Sequence, residues 1–508
     1  MTTDIQIIAV IGAGAMGRGI AQIAAQAGVQ VRLYDTSADA VTSARESLRQ
    51  LWEKLAQKGK LTTEQADAAL ARVLPAASLE ELADVELVVE AIVERLDVKR
   101  GLFTQLEGIV SATCILASNT SSLSITAIAA ACKHPERVAG FHFFNPVALM
   151  KVVEIIDGLR SAPATGDALM ALARRMGHTP VRAKDMPGFI VNHAGRGMNI
   201  EGLRVAQECV APFAQIDAIM REQAGFRMGP FELMDLTALD VSHPVMESIY
   251  QQFYDEPRFR PSPITAVRLA GGIVGRKVGE GFYAYVDGQK QVPAEPAVPV
   301  AQANLKVWIS REHEQGYERA HALLTSLGAT IVDGATPPEG ALIIVTPFGE
   351  DVSTCAYQQK LDSSRTVGLD TLFAFEAGKR RTLMVSPATQ PQWRDAAHAL
   401  LAQDNAPISV IQDSAGFVAQ RIVAAIVNIA AEIAQQGIAT PADIDRAVTL
   451  GLGYPKGPLA MGDALGGQRI LEILRNLQRV TGDMRYRPSL WLQRRVQLGL
   501  SLLADAAA

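Results

Sequence analysis

The chain has 508 residues, with 20% charged residues and a formal net charge of −5. At roughly 100–200 residues per domain, that length predicts three or four domains. The charge balance excludes broad polyanion binding, so any basic site must be local.

The opening MTTDIQ lacks the basic start of a secretory signal, and no run of about 18 apolar residues follows it. A soluble cytoplasmic protein is expected, with no nucleic-acid or membrane partner. Cys114, Cys132, Cys209 and Cys355 are scattered without C-x-x-C spacing, and His313-Glu314 lacks a second histidine at position 317. Reduced thiols and no metal site are the expectation.

From Ile5 to about Lys184, the runs Ile7–Ile11, Val31–Tyr34, Val85–Val89 and Cys114–Ser118 alternate with helical stretches. That pattern predicts an α/β Rossmann-like doubly wound domain over residues 1–184. Its first turn carries Gly12, Gly14 and Gly17 in G-x-G-x-x-G spacing around Met16, after a strand and before a helix. The first glycine permits the tight turn, the second lets backbone approach a pyrophosphate, and the third lets helix pack on strand. The second strand ends in Asp35, where a carboxylate accepts from an adenosine ribose and repels a 2′-phosphate, so NAD is favoured over NADP.

The stretch SNTSSLS, Ser118–Ser124, follows a buried strand, with Ser122 or Ser124 placed to cap a helix at Ile125–Ala131. In Arg137–Ile156 two strand-like runs flank the Asn145-Pro146 turn. Gly140 and His142 share one face, and the hairpin can bring Glu154 to one ring nitrogen of His142 while the other meets a substrate proton. Pro187-Gly188 breaks the pattern and opens an all-α domain over 185–286, with the polar Asn192 early in its first helix. Residues 287–303, rich in proline and small residues, read as a linker.

Beyond the linker the plan restarts. PGFIVN at 187–192 faces AGFVAQ at 415–420, Ile216-Asp217 faces Ile444-Asp445, and Met228-Gly229-Pro230 faces Lys456-Gly457-Pro458, all at an offset of 228. Matches at one offset without gaps predict a second all-α domain over 413–508, preceded by a degenerate Rossmann-like copy over 304–412. In that copy, Val307–Ser310 and Thr330–Asp333 look like a remnant strand–helix–strand unit, and SREHEQG (Ser310–Gly316) lacks the phosphate-cradling glycines. No dinucleotide is expected there.

The stretches GAGAMGRGIA, VVEAIVERLDVK, SNTSSLSITAIA, RVAGFHFFNPVALMKVVEII, KDMPGFIVN and GRKVGEGFY together resemble the 3-hydroxyacyl-CoA dehydrogenase family. The long form with a second helical domain is similar to the 3-hydroxybutyryl-CoA or 3-hydroxyadipyl-CoA dehydrogenases of bacterial phenylacetate catabolism. The resemblance implies NAD-dependent oxidation of (3S)-3-hydroxyacyl-CoA in aromatic or fatty acid catabolism (β-oxidation). His142 would be the general base and Glu154 would orient it. Ser121 and Asn192 would hold the substrate oxygen, Ser121 also touching nicotinamide. Glu94, Lys99, Asn145 and Lys277 match positions that line the NAD site. Ser47 and Lys54 match coenzyme A contacts after a short gap, on a helix where a solvated face is an equally good account. The single-copy relatives dimerise through their helical domains, so the duplicate is expected to supply that surface within one chain, or else to mediate a homodimer.

Two departures from the family pattern stand out. Gly195 and Gly197 follow Asn192, and each glycine costs about 1 kcal/mol in a helix interior, so a weakened or kinked helix and a displaced Asn192 are expected. Arg227 in GFRMGP stands where the second copy has Pro455. If the acyl chain ends in a carboxylate, Arg227 is the candidate cation and Arg221 the second; the other reading is an exposed loop arginine. At the repeat offset His142 faces Asp370, Glu154 faces Thr382, Ser121 faces Gly349 and Asn192 faces Gln420. The rival function is a non-enzymatic NAD-binding or structural protein that retains the fold. The intact Ser121, His142, Glu154 and Asn192 argue against it.

Overall fold

Runs of apolar β-branched residues form strands that need both faces covered, and helices supply the cover. The computed structural model describes residues 4–505. The first sheet contains β1 (Ile7–Ile11), β2 (Gln30–Tyr34), β3 (Val73–Pro75), β4 (Leu87–Glu90), β5 (Ile115–Ser118), β6 (Val138–Phe143), β7 (Val152–Asp157) and β8 (Thr179–Lys184). Their order is β3-β2-β1-β4-β5-β6-β7-β8, parallel throughout except where β6 meets β7 antiparallel. Two early helices, α1 (Ala15–Gln26) and α2 (Ala38–Gln57), cover it. Ile20 and Ala24 from α1, and Leu48 and Trp52 from α2, join Val10, Val31 and Leu33 in one core.

The predicted linker is shorter than expected. Tyr285–Val286 (β9) and Gln289–Lys290 (β10) pair as a hairpin, and the irregular stretch begins at Gln291. The second sheet contains β11 (Lys306–Ile309), β12 (Thr330–Ile331), β13 (Leu342–Val345), β14 (Thr366–Leu369), β15 (Arg381–Val385) and β16 (Ile408–Gln412), ordered β12-β11-β13-β14-β15-β16. At the repeat offset β13 to β16 fall on β5 to β8, and the antiparallel β14/β15 pair repeats β6/β7. The second sheet is therefore the first with β3 and β4 deleted.

The chain forms two compact units: residues up to His193 with Gln436–Gly453, and Ala194–Gln435 with Tyr454 onward. In the first unit, the helix Pro441–Leu452 from the second half packs on β7 and β8. The Lys184 amide, at the end of β8, donates to the Ile438 carbonyl at 2.8 Å. The second unit holds the reciprocal bond, from the Gln412 amide at the end of β16 to the Val210 carbonyl at 2.9 Å. Both ends of the two bonds are related by the repeat offset, so each helical domain serves the other copy's sheet.

Within the second unit, the helices Arg196–Gln207 and Val418–Gln435 cross closely. A Cβ on Gly197 would lie 2.8 Å from the Ile426 Cα, which explains that glycine: it lets two backbones approach. The expected kink is a break at Gly195, which separates Val191–Ala194 from Arg196–Gln207. The crossing buries Arg421, whose guanidinium donates to Glu201 at 2.8 Å and Glu208 at 2.5 Å. Val418–Gln435 is long and apolar enough to span a membrane by length and composition, yet 83% of it is buried inside the fold, the setting of a core helix.

Candidate active site

β1 delivers the chain into the fingerprint turn. Gly12 has φ +103°, and a Cβ there would lie 2.5 Å from the Ala91 carbonyl oxygen; one on Gly17 would lie 1.7 Å from the Gly12 oxygen. Gly14 is exposed at the N-terminus of α1, and a Cβ there would meet nothing within 4 Å, so the space beside its backbone is open to an anion. Asp35 accepts from the Ala13 amide at 2.8 Å and the Ser37 amide at 3.0 Å, which fixes its carboxylate at the strand end. Gly12, Tyr34, Asp35, Ile92, Val98 and Leu102 help line a cleft of about 360 Å³. These residues fit an adenosine diphosphate: a cradle that only glycine permits, an open helix N-terminus and a ribose acceptor beside an apolar slot.

The antiparallel register sets His142 opposite Glu154. His142 is 4% exposed, and its Nδ1 lies 2.7 Å from the Glu154 Oε2. Gly188 at φ +75° and Phe189 at φ +48° turn the chain left-handed, aiming the Ile190 and Val191 amides at the Glu154 Oε1, at 2.8 and 2.9 Å. Glu154 is thus fixed at both oxygens. The Nε2 lies outside this bond, and the imidazole ring packs beside the Phe144 and Phe189 rings, with centroids 4.4 and 5.8 Å away. Asn192 follows directly, and its Nδ2 donates to the Ser121 carbonyl at 3.3 Å. The break at Gly195 leaves it beside Ser121 rather than displaced.

Ser121 sits on a turn gathered around Glu94. The Glu94 Oε1 accepts from the Thr120 hydroxyl at 2.6 Å, the Ser121 amide at 2.9 Å and the Ser122 amide at 3.1 Å. Burial raises the Glu94 carboxyl, but the Lys99 charge and these donors outweigh it and hold it below the usual range. Lys99, which the family resemblance sets at the cofactor site, is 1% exposed, 2.6 Å from Glu90 and 3.3 Å from Glu94. The capping residue is Ser124, whose hydroxyl accepts from the Ala127 amide at 3.1 Å and donates to Asp185 at 2.7 Å. Sequence reasoning gave Asp185 and Glu90 no role, and named Asn119 only as part of the Ser118–Ser124 stretch. The Asn119 side chain accepts from the Phe143 amide at 2.8 Å, tying the serine turn to the strand that carries His142.

Ser47 and Lys54 lie two turns apart on α2, with Lys54 exposed and the Ser47 hydroxyl donating to the Ser43 carbonyl at 2.8 Å. Asn145 is exposed at its turn. In the second unit, Lys277 is exposed and paired with Asp240. Its glycine-rich loop is held by Asp235, which accepts from the Phe282 and Tyr283 amides at 2.8 and 3.0 Å. Arg221 is committed to Glu232 at 2.6 Å and Glu222 at 3.3 Å, so it is not the spare cation expected of it. Arg227 is exposed.

The second copy turns the same positions to internal use. Gln420 accepts from the Gly349 amide at 2.9 Å and donates to Asp370 at 3.0 Å, and a Cβ on Gly349 would lie 2.4 Å from the Ile473 carbonyl oxygen. His313 stands at the helix start that follows the degenerate turn, between Glu350 at 3.8 Å and Glu472 at 3.6 Å. The polar set has become a fastener.

A dinucleotide cradle and a histidine held by a carboxylate, carried on one sheet, define an NAD-dependent dehydrogenase. Residues 7–186 match the family "3-hydroxyacyl-CoA dehydrogenase, NAD binding domain", and residues 188–285 and 416–502 both match its C-terminal domain. The chain is 39% identical to the 3-hydroxyadipyl-CoA dehydrogenase of Escherichia coli (strain K12), over 98% of this chain and 99% of the relative. It is also 39% identical to the 3-hydroxybutyryl-CoA dehydrogenase of Bradyrhizobium diazoefficiens, over 58% of this chain and 99% of the other. A crystal structure of 3-hydroxybutyryl-CoA dehydrogenase from E. coli K12 superposes with a TM-score of 0.86 at 37% identity, covering 97% of this chain and 99% of that one. The chain belongs to the 3-hydroxyacyl-CoA dehydrogenase family. It is an enzyme of that family and its cofactor is NAD.

Proposed function

We propose that the enzyme oxidises (3S)-3-hydroxyadipyl-CoA to the 3-oxoacyl-CoA, accepting 3-hydroxybutyryl-CoA as a shorter substrate. The observation that carries the reaction is the His142–Glu154 pair, with its 2.7 Å bond and with Glu154 fixed by two backbone amides. Gly12, Gly14, Gly17 and Asp35 hold the dinucleotide; when bound, NAD supplies the hydride acceptor. Ser121 and Asn192 orient the 3-hydroxyl, and the His142 Nε2 takes its proton. The resulting imidazolium is stabilised by Glu154, the division of labour that contributes roughly 10²- to 10⁴-fold in positioned general bases. Ser47 and Lys54 meet the coenzyme A moiety, and Glu94, Lys99 and Asn145 border the nicotinamide half. A cytoplasmic setting accords with the free thiols of Cys114 and Cys355.

The dicarboxylic substrate is favoured by the E. coli relative that shares both copies and is named for it. Arg227 supplies the cation for the terminal carboxylate. The test is catalytic efficiency on 3-hydroxyadipyl-CoA and 3-hydroxyhexanoyl-CoA, in wild type and Arg227→Met. A selective loss of roughly two- to fivefold on the dicarboxylic substrate is expected of a solvent-facing ion pair. Equal effects on both substrates would overturn the assignment.

A further inference from the structure

We infer that Glu90 is a positioning residue for the reaction, acting through Lys99, Glu94 and Ser118 to fix Ser121. The inference rests on the proposed contact of Ser121 with substrate. Glu90 ends β4, and its side chain is fully buried. A carboxylate taken from water needs hydrogen-bond donors in its place, and here three donors reach its two oxygens. The Oε1 accepts from the Lys99 ammonium at 2.6 Å and the Ile92 amide at 2.8 Å, and the Oε2 accepts from the Ser118 hydroxyl at 2.6 Å.

Two arms run from this carboxylate to the serine turn. The direct arm passes through Ser118, whose hydroxyl accepts from the Thr120 amide at 3.2 Å. The other passes through Lys99, which sits 3.3 Å from the Glu94 Oε2, while the Glu94 Oε1 collects the donors of Thr120, Ser121 and Ser122. Two carboxylates share one buried ammonium, so neither glutamate can relax without moving the other. The main chain adds a third tie, from the Asn119 amide to the Glu90 carbonyl at 2.8 Å. A core ion pair that served stability alone would not need both partners tied, through Ser118 and Glu94, to the one turn that carries the proposed substrate contact.

The experiment is a double-mutant cycle on the full chain, measuring kcat with NAD and (3S)-3-hydroxybutyryl-CoA for Glu90→Gln, Ser121→Ala and the pair. If Glu90 works through Ser121, Glu90→Gln costs about tenfold in wild type and under about twofold in the Ser121→Ala background. Equal costs in both backgrounds would overturn the inference and leave the role of Ser121 standing. No loss in Ser121→Ala alone would overturn the role of Ser121, and the relay with it. Should Glu90→Gln fail to fold, Ser118→Ala cuts the direct arm alone and runs through the same cycle with the same criterion.

Discussion

In the proposed NAD site one carboxylate, Asp35, is given two jobs, binding a ribose and repelling a 2′-phosphate. Its oxygens are fixed by the Ala13 and Ser37 amides, so it cannot swing away from a ribose that carries a 2′-phosphate. Asp35→Ala therefore narrows the preference for NAD over NADP, measured as the ratio of kcat/KM for the two coenzymes; an unchanged ratio would place the residue away from the ribose. Asp35 was legible in the sequence because a fingerprint at the end of one strand and an acid at the end of the next is a local pattern. The same holds for His142 and Glu154, which a hairpin register sets face to face. The partners of Lys99 were not legible in this way, because which way a helical lysine points depends on the buried glutamate it meets, and Glu90 lies on another element.

The helix Pro441–Leu452 shows the same limit at the next scale. Its neighbour is β7 of the other copy, and no periodicity names that partner. A Cβ on Gly451 would lie 3.0 Å from one Val191 methyl and 3.1 Å from the other, and the Val191 amide holds Glu154. Gly451→Leu is expected to lower kcat by about tenfold or more with a smaller change in KM, because overpacking forces shifts in the segment beneath Glu154. Kinetics unchanged from wild type would show that the segment yields without consequence. Gly197 teaches the converse: read along the chain it weakens a helix, whereas across the chain it is what lets two helices meet.

A second element, the helix that opens at His313, carries a pH signature. Burial lowers the imidazole, but Glu350 and Glu472 outweigh it and push it up to about 9. Glu350 is also engaged by Arg479. A folded value above the unfolded one, near 6.5, gives stability that is complete below about pH 6.5 and lost as pH rises through about 9. Partial exposure limits the effect to roughly 1 kcal/mol. His313→Gln should thus lie below wild type in urea midpoint at pH 6 and converge with it at pH 10. Curves equally separated at both values would remove the ion pair from the account.

For the whole molecule, duplication was readable from arithmetic, since three matched segments at one offset leave little room for another explanation. The exchange of helices between copies was not, because it depends on which sheet each helical domain covers. A chain ending near residue 290 loses both the helix under β7 and β8 and the partner of Arg196–Gln207. It is expected to associate or precipitate and to lose most activity, read by light scattering and initial rates. A soluble truncation with full activity would refute the bracing role of the second half. The proposed mechanism has one site per chain, in the first copy, oxidising 3-hydroxyacyl-CoA with His142 as base. The most direct measurement is the initial rate of NADH formation from NAD and (3S)-3-hydroxybutyryl-CoA, in wild type and His142→Ala, with NAD binding titrated in both. The account predicts one NAD per chain in each protein and a fall in kcat of about 10²- to 10⁴-fold in the variant; near-native turnover in His142→Ala, or two NAD per chain, would contradict it.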